Sequence, residues 1–180
     1  RDFSNPKELL LKAIELQPKN VSALNNLATS YKELGDIKEA ENYYEKVIKI
    51  EPKNVNANYN LGLMSHNKKN LKKAENYFEK TIKIQPNFAL AHFTLGNLYA
   101  ESKNYNRAEK SYKRAIDIRP DYASAYNNLG LVYRGIGDYQ KAIQSYIKTI
   151  EINKTHAGAY NNLGRAYTEL GEFDKAIDSH

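Results

Sequence analysis

The sequence contains no cysteine, no tryptophan and a single methionine. Without cysteine the chain forms neither disulfides nor thiolate metal sites, which is typical of proteins in a reducing compartment. It also lacks an apolar run long enough to cross a bilayer, and no apolar signal segment follows Arg1. We therefore expect an intracellular, cytoplasmic protein that has no membrane partner.

Motifs for catalysis are absent as well. The four histidines do not fall in the HExxH spacing of zinc proteases, and there is neither a glycine-rich phosphate loop nor a GxSxG nucleophile motif. One of them, His92, stands where a large packing residue is expected, which favours a core position. We predict that the chain is not an enzyme, has no catalytic or metal-binding residues and uses no cofactor.

Proline is scarce but regularly placed. Four of the five prolines, Pro18, Pro52, Pro86 and Pro120, follow one another at intervals of 34 residues. Leucines, glycines and alanines repeat at the same interval, which predicts a single repeat array over 1–180. Its parts are a half repeat at 1–20, full repeats at 21–54, 55–88, 89–122 and 123–156, and a truncated repeat at 157–180. Because Lys154 replaces the closing proline, we expect the boundary there to be less sharply defined.

Each repeat reads as two helices joined by a short turn. Leu24, Leu27 and Ala28 fall on one face at the helical period, and Tyr44 belongs to a second apolar stripe after the turn. Gly35-Asp36 suits that turn, since glycine accepts the backbone angles at a helix end and the acid favours the next helix start.

The pattern Leu24-x2-Leu27-Ala28-x2-Tyr31, followed by Ala40-x3-Tyr44 and Pro52, resembles the tetratricopeptide repeat. The resemblance covers essentially the whole chain. It implies an all-α solenoid of antiparallel helix pairs, wound as a right-handed superhelix whose concave surface is lined by the first helix of each pair.

An asparagine recurs on the first helix of four repeats. Asn26 lies at roughly 200° from Leu24 around the helix, away from the apolar stripe. Its equivalents are Asn60, Thr94, Asn128 and Asn162. A carboxamide offers both a donor and an acceptor, as the backbone of an extended peptide requires. This ladder is similar to that of the O-linked N-acetylglucosamine transferases, where it implies capture of protein substrates through their backbone.

The ladder is also compatible with two roles that involve no ligand. The amides could hydrogen-bond one another or water, or the asparagines could reflect the codon bias of an AT-rich genome. If the amides face a ligand, replacing Asn60, Asn128 and Asn162 by alanine should leave stability unchanged or raise it, because alanine is the better helix former.

Further positions on the predicted concave face add apolar and basic groups. Tyr59, Leu63, Leu90 and Phe93 would form an apolar floor that either receives a partner's side chains or only packs neighbouring helices. Positive charge is expected along the rim. The complete set of predicted peptide-binding residues is Asn26, Tyr59, Asn60, Leu63, Leu90, Phe93, Asn97, Asn128, Leu131, Arg134, Asn162 and Arg165.

The charge pattern bears on the class of partner. Lysine and arginine number 27 against 21 acidic residues, and the second helices carry a regular basic stripe at Lys12, Lys46, Lys80, Arg114 and Lys148. A stripe on the convex side is typical of a solvated face, so we predict no nucleic-acid binding. The carboxylate clamp of chaperone-binding relatives implies a lysine beside the ladder. Asparagine or an aromatic residue stands there instead, at Asn25, Tyr59, Phe93, Asn127 and Asn161.

These observations predict a scaffold that binds an extended segment of a partner protein along a concave groove. The alternative is that the repeats form the substrate-recognition arm of a larger enzyme such as a protein O-glycosyltransferase. Because Arg1–Leu10 and Gly171–His180 are equivalent in the 34-residue register, we also expect end-to-end self-association through the truncated terminal repeats.

Overall fold

The computed structural model describes residues 6–172, and within that range it contains ten α-helices and no strand. The helices are α1 Pro6–Leu16, α2 Val21–Glu33, α3 Ile37–Ile50, α4 Val55–Asn67, α5 Leu71–Ile84, α6 Ala89–Glu101, α7 Tyr105–Ile118, α8 Ala123–Gly135, α9 Tyr139–Ile152 and α10 Ala157–Glu169. Over these residues, no helix combines the length and the apolar character needed to cross a membrane.

The helices follow the predicted repeats. The first helix of every full repeat begins at the first residue of that repeat, at Val21, Val55, Ala89 and Ala123. Each pairs with the helix that follows it, as α2 does with α3 and α8 with α9. The predicted all-α fold of antiparallel helix pairs is therefore confirmed.

By its internal contacts the chain divides into two compact units, Arg1–Pro86 and Asn87–His180. The first unit has a core around Leu24, Tyr44 and Leu61. In the second unit Tyr122 packs with two alanines, and His92 is buried, as predicted. The organisation of the chain as a single array stays a prediction, as does self-association, because the ends that it involves lie partly outside the described residues.

The turns inside the helix pairs show why glycine recurs there. Gly35 has a φ of +82°, a left-handed conformation that glycine adopts without steric cost. Asp36 then accepts a hydrogen bond from the Glu39 amide and caps α3. The predicted Gly-Asp turn is confirmed. At the equivalent positions Lys69 and Lys103 adopt the same conformation, with φ of 60° and 55°.

A second set of glycines lets an aromatic ring approach the paired helix. A Cβ added at Gly96 would lie 2.7 Å from the Tyr112 ring, and one at Gly130 would lie 2.5 Å from the Tyr146 ring. Gly62 stands in the same relation to Phe78. The three rings therefore occupy equivalent places in their helix pairs, each directed at the same part of the first helix.

The expectation of a blurred boundary at Lys154 was wrong. Helix α9 ends at Ile152 and α10 begins at Ala157, the same spacing as between α7 and α8. Side chains bond to the backbone at this boundary: Asn153 Oδ1 accepts from the Thr155 backbone N–H at 3.1 Å, and His156 Nδ1 accepts from the Ala159 N–H at 3.1 Å. These side-chain acceptors satisfy N–H groups at the turn and at the start of the helix.

Candidate functional site

All twelve predicted binding residues lie on the first helices of the pairs, in both units. The first unit holds Asn26, Tyr59, Asn60 and Leu63, and the second holds Leu90, Phe93, Asn97, Asn128, Leu131, Arg134, Asn162 and Arg165. The four residues of the predicted apolar floor are thus divided between the units, so a single floor remains a prediction.

In the first unit the ladder positions are not linked to each other. Asn26 is exposed on α2. On α4, Asn60 accepts a hydrogen bond from Lys32 Nζ at 2.9 Å and donates to the Asn56 carbonyl at 2.9 Å. The amide of Asn60 is therefore held by a neighbouring helix through a lysine.

The aromatic residues on this face pack against the protein itself. The Phe93 ring lies 4.8 Å from the Tyr122 ring and 5.8 Å from the Tyr112 ring, measured between centroids. In the first unit the Tyr59 ring lies 5.8 Å from that of Phe78. These two side chains thus pack neighbouring helices, whereas Leu90 is 41% exposed.

In the second unit the carboxamides form a continuous chain across three helices. Asn162 Nδ2 donates to Asn127 Oδ1 at 3.1 Å, Asn127 Nδ2 donates to Asn128 Oδ1 at 3.2 Å, and Asn128 Nδ2 donates to Asn97 Oδ1 at 2.9 Å. The Tyr112 hydroxyl donates to the same Asn97 oxygen at 2.7 Å. We call Asn162, Asn127, Asn128 and Asn97 the carboxamide chain. Its hydrogen bonds run in one direction, from α10 through α8 to α6.

The two ends of the carboxamide chain keep complementary groups. Among the described residues, Asn97 Nδ2 has no acceptor and Asn162 Oδ1 has no donor. One end thus offers an N–H donor on α6, and the other offers a carbonyl acceptor on α10. In this unit the amides hydrogen-bond one another, which is the alternative without a ligand given for the ladder. The expectation that replacing Asn128 and Asn162 by alanine leaves stability unchanged or raises it therefore needs correction, since each bonds to another helix.

A cleft of about 350 Å³ adjoins the carboxamide chain. Its lining consists of Asn97, Ala100, Tyr105, Tyr112, Asn128, Leu131 and Val132. Sequence reasoning missed Tyr105, because it lies on α7 rather than on a first helix. A signal was present in Gly135, which replaces the glutamate or asparagine of other repeats. A Cβ there would lie 3.0 Å from the Tyr105 ring.

The aromatic rings of the second helices differ in how their hydroxyls are bonded. Tyr44 OH bonds to Thr29 Oγ1 at 2.8 Å, just as Tyr112 OH bonds to Asn97. Where Leu63 occupies the equivalent place on the first helix, the ring is Phe78, which has no hydroxyl. The fourth pair differs, because it combines a leucine at this place on the first helix with a ring that carries a hydroxyl.

In that pair Leu131 occupies the place of Asn97, and within residues 6–172 the buried Tyr146 hydroxyl has no hydrogen-bond partner. Burial raises the pKa of Tyr146 to about 12, and the positive charges of Arg134 and Arg165 oppose the rise. Arg134 Nη1 is likewise buried without a hydrogen-bond partner.

The site offers hydrogen bonds, apolar surface and positive charge. Over residues 6–172, no group of three or more histidine, aspartate or glutamate side chains is arranged to hold a metal ion.

Comparison with protein families agrees with the repeat pattern. Profiles described as tetratricopeptide repeat match residues 21–54, 43–76, 87–155 and 121–180. The last two together span 87–180, more than half of the chain. The chain belongs to the tetratricopeptide repeat family. A search of curated proteins found no match.

Solved structures of tetratricopeptide proteins have the same fold. One crystal structure of MamA has a TM-score of 0.83 at 29% identity, and the match covers 91% of this chain and 89% of that one. Another has a TM-score of 0.81 at 31% identity, covering 85% and 90%. YrrB, described as a TPR protein with an unusual peptide-binding site, has a TM-score of 0.82 at 23% identity, covering 97% and 93%. These likenesses show the fold, and membership of the tetratricopeptide repeat family supports a protein-interaction role.

Proposed function

We propose that this tetratricopeptide chain binds an extended peptide segment of a partner protein across α6, α8 and α10. The carboxamide chain is the observation that carries the proposal. Its internal hydrogen bonds fix the side-chain orientation of four asparagines, so a ligand meets a preorganised surface and little side-chain freedom is lost on binding.

The two ends of the carboxamide chain offer different hydrogen-bonding groups to a peptide backbone. Within residues 6–172, Asn97 Nδ2 is free to donate to a peptide carbonyl, and Asn162 Oδ1 is free to accept from a peptide N–H. Hydrogen bonds that run in one direction polarise one another, which strengthens the donor at one end and the acceptor at the other. A peptide segment that places a carbonyl over α6 and an N–H over α10 therefore bonds to both ends of the carboxamide chain.

The adjoining cleft supplies a place for one apolar side chain. Its volume, about 350 Å³, lies within the range of small-ligand pockets. Leu131 is 36% exposed at its edge, and Tyr105 forms part of its wall. Backbone recognition by the amides and one apolar anchor in the cleft together specify an extended segment with a medium-sized apolar residue.

The test uses Asn97→Asp in the whole chain, with peptides obtained by display selection against the unaltered protein. The aspartate keeps an oxygen for Tyr112 and Asn128, but replaces the free N–H donor by an oxygen that repels a peptide carbonyl. We expect affinity to fall by about tenfold or more, the loss of roughly one hydrogen bond with added repulsion. Isothermal titration measures it.

Asn106→Asp is the matched control, because it makes the same charge change on the exposed surface of α7. It should bind the selected peptides as the unaltered chain does. Peptides that bind Asn97→Asp with unchanged affinity would contradict the proposal, and so would a selection that yields no binding peptide.

The alternative inferred from sequence, a substrate-recognition arm of a protein O-glycosyltransferase, uses the same surface and stays a prediction. It requires that the selected peptides resemble substrates of such an enzyme, with serine or threonine at a constant distance from the bound segment. A selection without that feature would count against it.

A further inference from the structure

The first unit contains a second cleft, none of whose lining residues lies on a first helix. Its volume is about 430 Å³, and it is lined by Pro52, Lys53, Lys80, Lys83 and Ile84. Pro52 and Lys53 belong to the connection between α3 and α4, and the other three residues lie in the C-terminal half of α5. We call this the lysine cleft. It combines three positive charges with two apolar side chains, and no acidic residue lines it.

The protein itself does not balance the charges of the lysine cleft. Within residues 6–172, Lys53 and Lys83 form no salt bridge. The Lys80 Nζ lies 5.7 Å from the centroid of the Tyr77 ring, a weak cation–π contact that leaves its charge in place. All three lysines are exposed. Like charges gathered around one cleft repel one another, and an anion bound between them removes that repulsion.

The equivalent positions in the second unit are balanced internally. In the 34-residue register, the three lysines of the cleft correspond first to Asn87, Arg114 and Asp117, and then to Asp121, Lys148 and Glu151. Arg114 Nη2 donates to Asn87 Oδ1 at 3.3 Å, and Lys148 Nζ lies 2.9 Å from Glu151 Oε2. Because both equivalents of Lys83 are acidic, the repeat does not need a positive charge there to offset the negative end of the helix dipole.

The same set of residues occurs once more in the first unit. The repeat before the lysine cleft has the corresponding residues Pro18, Lys19, Lys46, Lys49 and Ile50. The Lys46 Nζ lies 4.4 Å from the centroid of the Tyr43 ring, as the cation–π contact of Lys80 predicts. A ligand that extends beyond the lysine cleft along the first unit therefore has a second group of three lysines to contact.

The surroundings of the lysine cleft favour carboxylates over phosphate. Phosphate groups bind typically at the N-terminal ends of helices, where backbone N–H groups converge. The lysine cleft lies instead at the C-terminal end of α5, which carries a partial negative charge. Nucleic acid requires a basic surface that continues along the protein, whereas acids take two of the three positions in the last full repeat.

We propose that the lysine cleft binds an acidic segment of a partner protein in which glutamate or aspartate residues flank an apolar side chain. The carboxylates pair with the three ammonium groups, and the apolar side chain covers Pro52 and Ile84. Lys80 thus has a binding role beyond the solvated stripe to which the sequence assigns it. The lysine cleft is separate from the peptide-binding surface proposed on α6, α8 and α10, and the inference does not depend on that surface.

Three peptides, titrated against the whole chain, test the chemistry of the segment. The first is acetyl-Gly-Glu-Glu-Leu-Glu-Glu-Gly-amide, the second has glutamine in place of every glutamate, and the third has serine in place of leucine. We expect the acidic peptide to bind at least about tenfold more tightly than the glutamine peptide at about 0.05 M salt, and the difference to shrink at about 0.15 M because exposed charges are screened. Serine should weaken binding by about threefold or more.

NMR locates the binding surface. Bound acidic peptide should shift the backbone amide signals of Lys53 and of residues 80–84, which belong to the lysine cleft. Signals of the first helices α2 and α4 should stay in place. Shifts confined to α2 and α4, or an acidic peptide that shifts no signal, would overturn the inference.

Variants of the chain test the lysines. Lys53→Gln/Lys83→Gln removes two charges from exposed side chains, and should lower the affinity for the acidic peptide by about fivefold or more while the glutamine peptide is unaffected. Lys38→Gln/Lys72→Gln is the matched control. It makes the same change in net charge at exposed positions in the first turns of α3 and α5, and should change the affinity by less than about twofold.

The remaining outcomes separate this inference from its rivals. Equal affinity for the acidic and glutamine peptides overturns it, and so does equal weakening in the two double variants, which would indicate attraction by net charge alone. Inorganic tripolyphosphate and a single-stranded oligonucleotide are titrated in the same way. If either binds more tightly than the acidic peptide and loses affinity in Lys53→Gln/Lys83→Gln, the ligand is a phosphate compound and the inference is wrong. Asn97→Asp should leave the acidic peptide bound as before, so failure of the proposed function is recognised separately.

Discussion

The two units carry the same repeat but use its first-helix amides differently. In the first unit Asn60 is held by Lys32, and Asn26 is exposed. In the second unit Asn128 and Asn162 belong to a chain of carboxamides that joins α6, α8 and α10. The same residue at the same repeat position is thus a surface group in one unit and a link between helices in the other.

The difference comes from neighbours that vary between repeats. Asn128 finds Asn97 on the preceding first helix, and its partner Asn127 lies beside it. In the first unit the residue equivalent to Asn97 on the preceding helix is Thr29, which bonds to Tyr44 and to its own helix. Amide chemistry alone therefore does not decide whether a ladder position serves the fold or a ligand.

The largest effect is expected for Asn128→Ala. The change removes two hydrogen bonds and leaves Asn127 Nδ2 buried without an acceptor. Alanine is the better helix former by roughly 0.6 kcal/mol. After this gain is subtracted, we still expect the free energy of unfolding of the second unit to fall by about 2 kcal/mol. Urea unfolding followed by circular dichroism measures this loss.

Asn60→Ala and Asn26→Ala provide the comparison in the first unit. Asn60 loses its bond to a flexible lysine and an exposed bond to the Asn56 carbonyl of its own helix, and Asn26 loses none. Helix propensity offsets or exceeds these losses, so stability should change by less than about 0.5 kcal/mol. Equal losses from Asn26→Ala and Asn128→Ala would refute the distinction between the units.

The second comparison sets Tyr44 against Tyr146. Tyr44→Phe removes a hydroxyl bonded to Thr29, and we expect it to cost the first unit about 1 kcal/mol. Tyr146→Phe removes a hydroxyl without a partner, and should leave the second unit unchanged or more stable by up to about 1 kcal/mol. Thermal and urea unfolding of both variants check the sign. A marked loss of stability in Tyr146→Phe would show that its hydroxyl is bonded in the folded protein.

The fold was largely predictable from the sequence because its determinants recur every 34 residues. Five copies of one apolar pattern fix the helix pairs, and the Gly35-Asp36 turn follows from local backbone chemistry. The site was only partly predictable. Helical angles show which face of its helix a residue such as Asn128 lies on. They do not show which side chain of a neighbouring helix bonds to that residue.

The hydroxyl of Tyr146 illustrates the limit of the pattern. Its tyrosine is regular in the repeat, and Leu131 alone looks like an ordinary apolar substitution. Only the approach of the ring to Gly130 shows that the Tyr146 side chain packs against α8 next to Leu131 in the sequence. The pairing depends on three-dimensional contact between helices, which the spacing of one repeat does not report.

The smallest effect concerns the turns, where both glycine and lysine occur in the same left-handed conformation in each unit. In the second unit Lys103 has a φ of 55° and Gly137 a φ of 82°. A residue with a side chain is strained by roughly 1 kcal/mol or more in this conformation. Glycine avoids that strain, but its greater flexibility in the unfolded chain offsets part of the gain in the free energy of unfolding. We therefore expect Lys103→Gly to raise the free energy of unfolding by about 0.5 kcal/mol and Gly137→Lys to lower it by about 1 kcal/mol. Urea unfolding of the two variants and of the double exchange checks the signs.

Since neither turn lies on the first-helix face, peptide affinity should stay constant in all three. A loss of stability in Lys103→Gly would mean that the lysine side chain contributes more than its backbone conformation costs.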